Sequence, residues 1–167
     1  LRDSTTLAGI NFDRHFVVSA APMALDAAEG ELRARGIVHQ RLAVRYAFHS
    51  PWIESARDDV MALLSALPVT DGRIPMACCT TADVSHRAFG PDHLWDVVRK
   101  PIRFADTIAR LERDGPWRYI DVGPSGTLAT FAKYAMPSDS ASTAAMILTP
   151  YGRELKNYEA LTGVIVA

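Results

Sequence analysis

Cysteine is scarce in this sequence, which excludes a fold built on disulfide bridges or structural zinc. The two cysteines among 167 residues, Cys78 and Cys79, are adjacent. Neighbouring cysteines rarely bridge to one another, and two alone cannot supply a four-ligand zinc site. A chain of this length buries about two-thirds of its unfolded surface, so it needs no covalent staples to fold. We therefore expect a protein of the reducing cytoplasm.

Excess charge and long apolar runs are also absent. The 18 basic and 19 acidic side chains leave a net charge of −1, which gives no electrostatic footprint for nucleic acid or an anionic membrane surface. No apolar run approaches the roughly 18 residues that a membrane span requires. The chain begins at Leu1 without a signal-peptide pattern, so we expect that sequence upstream of it has been removed.

The first 46 residues have the hydrophobic pattern of a small α+β unit. The pattern predicts two short strands, a helix and a third strand, at residues 10–12, 15–18, 22–35 and 38–46. Gly36 follows the helix, where a C-cap glycine belongs. The alternation from Val38 to Tyr46 predicts a half-buried strand.

From residue 51 onward, helical and strand patterns alternate. Helices are expected at 51–66, 92–99 and 104–111 and after the turn 123–126, and strands at 74–79, 117–122 and 145–148. Residues 137–142 read as a surface loop, and residues 151–167 as an exit helix or linker. Strands that alternate with helices predict an α/β fold whose parallel sheet is flanked by helices on both faces.

One short motif carries the clearest chemical signal. Tyr46-Ala47-Phe48-His49-Ser50-Pro51 places a histidine between the end of a predicted strand and a helix N-terminus. Residues just beyond strand ends line the ligand crevice of α/β folds. A neutral imidazole there can act as a general base near pH 7. The alternative is a histidine that only caps a helix or packs against it.

The usual partner of such a base is missing from the sequence. A nucleophile elbow needs Gly-x-Ser-x-Gly at a strand-to-helix turn, and this chain contains no such pentapeptide. The turn Gly123-Pro124-Ser125-Gly126 has the wrong spacing. Ser125 is therefore a poor candidate for a nucleophile.

The motif at residues 46–51 resembles the segment around the catalytic histidine of malonyl-CoA:acyl-carrier-protein transacylases and of polyketide synthase acyltransferase domains. Other segments match that family in the same order: 11–19, the helix ending at Gly36, 42–44, 74–75, 98–104, 121–124 and Leu128. The ordered set covers nearly the whole chain, which is therefore identified as a member of the family.

The resemblance implies a hydrolase-like parallel sheet flanked by helices, with part of an inserted ferredoxin-like α+β subdomain. Residues 1–46 would be the C-terminal part of that small subdomain. Residues 47–150 would belong to the C-terminal part of the large subdomain, and residues 151–167 to the exit helix or linker. The elbow serine, the carboxylate-binding arginine and the oxyanion donors would lie upstream of Leu1.

Roles for individual residues also follow from the resemblance. His49 would deprotonate a serine and later protonate the coenzyme A thiolate. Its second ring nitrogen would be held by the backbone carbonyl at Val97, where relatives carry Asn or Gln. Tyr46 and Phe48 would contact the substrate. The string Tyr-Ala-Phe-His is a hybrid of malonyl-type and methylmalonyl-type sequences. We expect selection of a malonyl group, because the Phe48 ring would fill the space that an α-methyl group needs.

The implied activity is transfer of a malonyl-type group from coenzyme A, through an acyl-serine, to the phosphopantetheine thiol of an acyl carrier protein in polyketide or fatty-acid biosynthesis. The expected partners are the carrier protein, acyl-CoA and the missing N-terminal half, with no metal, no tightly bound cofactor, no nucleic acid and no membrane. This chain alone would be inactive. The alternatives are an acyl hydrolase of the same fold and a non-catalytic half-domain that docks a carrier protein.

Overall fold

Strands and helices alternate along residues 4–163, the part of the chain that the computed structural model describes. The strands are β1 (Thr6–Phe12), β2 (His15–Ser19), β3 (Met76–Cys78), β4 (Asp83–Ser85), β5 (Ile102–Arg103), β6 (Arg118–Asp121) and β7 (Thr143–Met146). The α-helices are α1 (Pro22–Ala34), α2 (Arg57–Ser65), α3 (Pro91–Arg99), α4 (Phe104–Glu112), α5 (Thr127–Ala135) and α6 (Glu154–Thr162), and a 3₁₀ helix spans Pro51–Ala56.

The first sheet joins the N-terminal hairpin to a distant part of the chain. Its strand order is β2-β1-β5, with β1 antiparallel to β2 and parallel to β5. The hairpin confirms the two predicted strands around residues 13–14. Gly9 lies opposite Ile102, where an added Cβ would stand 3.1 Å from the Ile102 Cβ. The small residue thus allows β5 to approach β1.

The predicted strand at 38–46 is wrong. These residues form no strand, and the side chains of Val38 and Tyr46 are 99% and 63% exposed. A strand needs a neighbour to bond with, and neither edge of the β2-β1-β5 sheet pairs with this segment. Instead Arg41 holds the segment to α1, through ion pairs with Asp26 at 2.7 Å and Glu29 at 2.9 Å.

The parallel βα arrangement is confirmed for the unit β6–α5–β7, in which β6 and β7 pair in parallel. The predicted strand 74–79 is shorter, and it pairs antiparallel with β4 in a hairpin. That pairing departs from the expected parallel sheet. Ala82 occupies the turn between β3 and β4 with a φ of 54°. The tight turn leaves no room for a crossover helix, so an antiparallel pair results.

The helices were largely predicted, with one change of type. The stretch 51–66 begins as the 3₁₀ helix and continues as α2, which has no fully buried side chain in the described part of the protein. Leu63 in α2, for example, is 72% exposed. The buried core instead lies around Trp95 of α3, Ile108 of α4 and the α5 alanines Ala129 and Ala132.

The C-terminal part of the chain, for which an exit helix or linker was predicted at 151–167, contains α6. Residues 164–167 of that predicted segment lie outside the described residues, as do residues 1–3. Among the helices of residues 4–163, none combines the length and the apolar character needed to traverse a lipid bilayer.

Candidate active site

The loop at residues 46–50 is held in shape from within by Ser50. This residue is fully buried and caps the 3₁₀ helix that begins at Pro51. Its hydroxyl donates to the Ala47 carbonyl at 2.6 Å and accepts from the Trp52 backbone N–H at 3.2 Å. Proline at the first helical position and serine at the N-cap are the residues this turn favours. The sequence therefore dictates a fixed turn immediately after His49.

His49 itself adopts a backbone conformation that few side chains tolerate. Its φ is +59°, in the left-handed region that is uncommon for residues other than glycine. The backbone N–H of His49 donates to the carbonyl of Val98 at 2.8 Å, which ties the loop to the C-terminal end of α3. Backbone strain of this kind persists only where surrounding contacts enforce it, and it is concentrated at functional sites.

The His49 ring has a defined tautomer. Its Nδ1 lies 3.1 Å from the backbone oxygen of Lys100. A carbonyl oxygen only accepts, so Nδ1 carries the proton, and in the neutral ring Nε2 keeps a lone pair. Within residues 4–163, Nε2 makes no hydrogen bond. The half-buried ring thus offers Nε2 as a base.

The carbonyl that holds the ring belongs to Lys100, and the assignment to Val97 is wrong. Helix α3 ends at Arg99, and Lys100 is extended with ψ at 156°, so its carbonyl leaves the helical direction. Val97 lies inside the helix, where carbonyls run along the helix axis. Pro101 could have revealed this, because the residue before a proline is biased to extended conformations.

Tyr46 and Phe48 stand side by side on the same loop. Their rings meet edge to face, with centroids 6.3 Å apart, and their side chains are 63% and 41% exposed. The Phe48 carbonyl accepts a hydrogen bond from the Ser19 hydroxyl at 3.1 Å. Ser19 lies at the end of β2, 29 residues away, and nothing in the sequence marked it as a support of the site.

The hydroxyls and thiols that sequence patterns bring to attention are not paired with His49. Ser50 is occupied in its own turn, and the Ser125 hydroxyl lies 2.7 Å from that of Thr127. A separate thiol–imidazole contact joins Cys78 Sγ to His93 Nε2 at 3.2 Å, but Cys78 is buried. Burial also raises the pKa of the neighbouring Cys79 thiol, which keeps it protonated.

Two cavities lie away from the His49 loop. One of about 430 Å³ and another of about 280 Å³ both border α4, and neither is lined by residues 46–51. Among residues 4–163, no group of three or more His, Cys, Asp or Glu side chains could hold a metal ion.

Comparison with known proteins decides the family. The family described as "Acyl transferase domain" matches residues 1–165. This chain belongs to that acyltransferase family. The chain is 36% identical over 154 residues to the polyketide biosynthesis acyltransferase homolog PksD of Bacillus subtilis (strain 168), covering 92% of the chain and 47% of PksD. It is 33% identical to the homolog BaeD of Bacillus velezensis, covering 100% of the chain and 51% of BaeD.

The fold of the chain is shared with solved structures. The acyltransferase domain from the second module of the salinomycin polyketide synthase superposes with a TM-score of 0.81 at 25% identity, covering 94% of this chain and 37% of that one. The α/β fold and the family resemblance are thereby confirmed. The chain spans about half the length of the curated relatives it matches.

Proposed function

We propose that the full-length protein is a polyketide-type acyltransferase that moves a malonyl-type group from coenzyme A to an acyl carrier protein. The observation that carries the proposal is the state of His49 in a chain of the acyltransferase family. The Lys100 carbonyl fixes the proton on Nδ1, so Nε2 is available as a base. We further propose a cytoplasmic location, in keeping with the two free cysteines.

In the first half-reaction, Nε2 of His49 takes the proton of a serine hydroxyl while the serine oxygen attacks the thioester carbon. The tetrahedral intermediate collapses as the carbon–sulfur bond breaks, and the imidazolium returns the proton to the coenzyme A thiolate. Lys100 stabilises the imidazolium because its carbonyl accepts from Nδ1–H. The products are an acyl-serine and free coenzyme A.

In the second half-reaction, the phosphopantetheine thiol of the carrier protein gives its proton to Nε2. The thiolate attacks the acyl-serine, the ester carbon–oxygen bond breaks, and His49 protonates the departing serine oxygen. The same residue therefore serves as base and acid in both halves. No step calls for a metal or a tightly bound cofactor, because coenzyme A and phosphopantetheine take part as substrates.

The serine nucleophile, the carboxylate-binding arginine and the oxyanion donors are proposed to come from an N-terminal half outside this chain. The unpaired segment 38–46 supports this proposal, because its exposed Val38, Leu42 and Val44 are suited to packing against further polypeptide. The division at residue 46, between a small and a large subdomain, and the exit segment from 151 are part of the same proposal.

The test is self-acylation of the full-length protein by isotopically labelled malonyl-CoA. We expect His49→Ala to reduce labelling by about 10²- to 10⁴-fold, the usual contribution of a general base. His39→Ala is a matched control, because His39 is also half-buried and its Nδ1 lies 2.8 Å from a backbone oxygen, that of Ile37. The isolated chain should remain unlabelled.

Retained labelling in His49→Ala would remove His49 from the base role. The fate of the acyl group then separates the related activities. Label that reaches the carrier-protein thiol supports the transferase, whereas label released only as free acid would identify a hydrolase. A full-length protein that is never labelled would mean a non-catalytic domain.

A further inference from the structure

An ion pair connects the two segments that hold His49 in place. Arg99 Nε lies 2.6 Å from Glu54 Oε2, joining the last residue of α3 to the 3₁₀ helix that follows the histidine. The Arg99 side chain is only 25% exposed, and that of Glu54 is 53% exposed. The pair spans 45 residues of sequence and links the two elements that carry the site.

Arg99 lies between the two carbonyls that bind His49. The Val98 carbonyl accepts from the His49 backbone N–H, and the Lys100 carbonyl accepts from the ring. Glu54 in turn lies five residues after His49. The histidine, the 3₁₀ helix, the ion pair and residues 98–100 therefore form a closed loop of contacts that includes His49.

We propose that Glu54 and Arg99 are positioning residues that fix the His49 imidazole for proton transfer. The proposal rests on the base role of His49 stated above. The left-handed backbone of His49 requires outside support. The 3₁₀ helix supplies little of it by packing, because Ile53 is its only buried residue, and 3₁₀ hydrogen bonds have poor geometry.

Loss of the Glu54–Arg99 ion pair is expected to change the rate of acylation more than the free energy of unfolding. A partly exposed ion pair contributes little to folding stability. A displacement of about 1 Å at a reacting group, however, can lower a rate by about 100-fold. Loss of the pair should thus slow acylation while leaving the protein folded and able to bind its substrate.

The test compares Glu54→Gln and Arg99→Gln with Asp96→Asn in the full-length protein. Asp96 forms an ion pair of the same 2.6 Å length with the Lys100 side chain, but that pair joins residues only four positions apart and does not reach the 3₁₀ helix. Acylation by labelled malonyl-CoA is followed in single turnover across substrate concentrations. We expect both Gln variants to lower the maximal rate by about 10- to 100-fold with half-saturation unchanged, and Asp96→Asn to retain the rate.

Two additional variants complete the test. The exchanged pair Glu54→Arg with Arg99→Glu should recover most of the rate, and the double Gln variant should be no slower than the single variants. Rates that match Asp96→Asn, or a loss explained by a lowered melting temperature and not recovered by the exchange, would overturn the proposal. His49→Ala separates the two ideas: if it lowers labelling as expected while the Gln variants keep the maximal rate of the parent, the base role stands and the positioning role fails.

Discussion

Phe48 is the residue at which the choice of acyl group can be tested. Its ring is partly exposed beside Tyr46, and a bulky ring next to the base leaves less space for an α-methyl. We expect Phe48→Ser to raise the ratio of methylmalonyl to malonyl transfer by about 10-fold, within the 1–3 kcal/mol that one methyl group is worth. The measurement is competition between the two labelled thioesters in the full-length protein.

The control for Phe48 is Phe16→Ser on β2, which removes another exposed ring outside the motif. Phe16→Ser should leave the ratio of the two acyl groups unchanged. An unchanged ratio in Phe48→Ser as well would mean that acyl selection is determined elsewhere.

The sequence identifies His49 as the candidate base but not all of the residues that hold its loop and ring in place. The position of His49 just before a helix follows from local pattern, because the N-cap Ser50 and then Pro51 come directly after it. The contacts of Lys100 and Ser19 with the loop cross 51 and 29 residues. Such long-range partners depend on how elements pack, and only the proline after Lys100 gave a local hint.

Asp121 holds together the turn that connects β6 to α5. The buried carboxylate accepts from the backbone N–H of Gly123 at 2.8 Å and of Ala129 at 3.0 Å. It thereby satisfies a free N–H in the first turn of α5. Gly126 completes the turn with a φ of 66°, where an added Cβ would lie 2.4 Å from Met146 Sδ. The turn 123–126 is thus structural.

We expect Asp121→Asn to lower the free energy of unfolding by about 1–3 kcal/mol, because an amide cannot accept both hydrogen bonds. The measurement is denaturant unfolding of the full-length protein. Asp139→Asn in the exposed loop 137–142 is the control and should change stability little. Equal stabilities of the two variants would contradict the bridging role of Asp121.

Elements with long periodic patterns were predictable, and short or unpartnered ones were not. Helices α3, α4 and α5 each carry two or more turns of apolar spacing. Strands β4 and β5 have only three and two residues, too few to show any period. The segment 38–46 was predicted as a strand but forms none. Alternation of apolar and polar residues indicates which face of a strand would be apolar, but it does not show whether a partner strand is present to pair with it.

Across the whole described molecule, large apolar side chains remain at the surface. Val38, Ile74 and Leu63 are 99%, 81% and 72% exposed, and the buried residues are mostly small. Single exposed apolar residues are ordinary, but segment 38–46 carries four of them, Val38, Leu42, Val44 and Tyr46, which is typical of a surface that packs against another body. The distribution supports the proposed N-terminal half of the enzyme.

Two separate segments of the molecule, β6 and the loop 137–142, converge on one carboxylate, Glu112 at the end of α4. Tyr119 of β6 donates to Oε1 at 2.6 Å, and Ser140 of the loop 137–142 donates to Oε2. Burial acts to raise the pKa of Glu112, but hydrogen bonds from Ser140, Tyr119 and Ser142 lower it further than burial raises it. The net pKa is below the ordinary value of 4.5.

The lowered pKa of Glu112 means that this residue stabilises the folded protein less as the pH falls. Because the folded pKa is the lower one, the network contributes fully above about pH 4.5, the usual range of a free glutamate. The contribution is lost as pH falls through the folded pKa, where the native carboxylate also binds a proton. We expect Glu112→Gln to be less stable than the parent at pH 7 and to lose less stability on acidification. Denaturant unfolding at pH values from neutral to acid measures the free energy of unfolding of the parent and of Glu112→Gln, and Glu154→Gln is the control. If the free energies of parent and Glu112→Gln changed in parallel with pH, the hydrogen-bond network would not contribute to the pH dependence of stability.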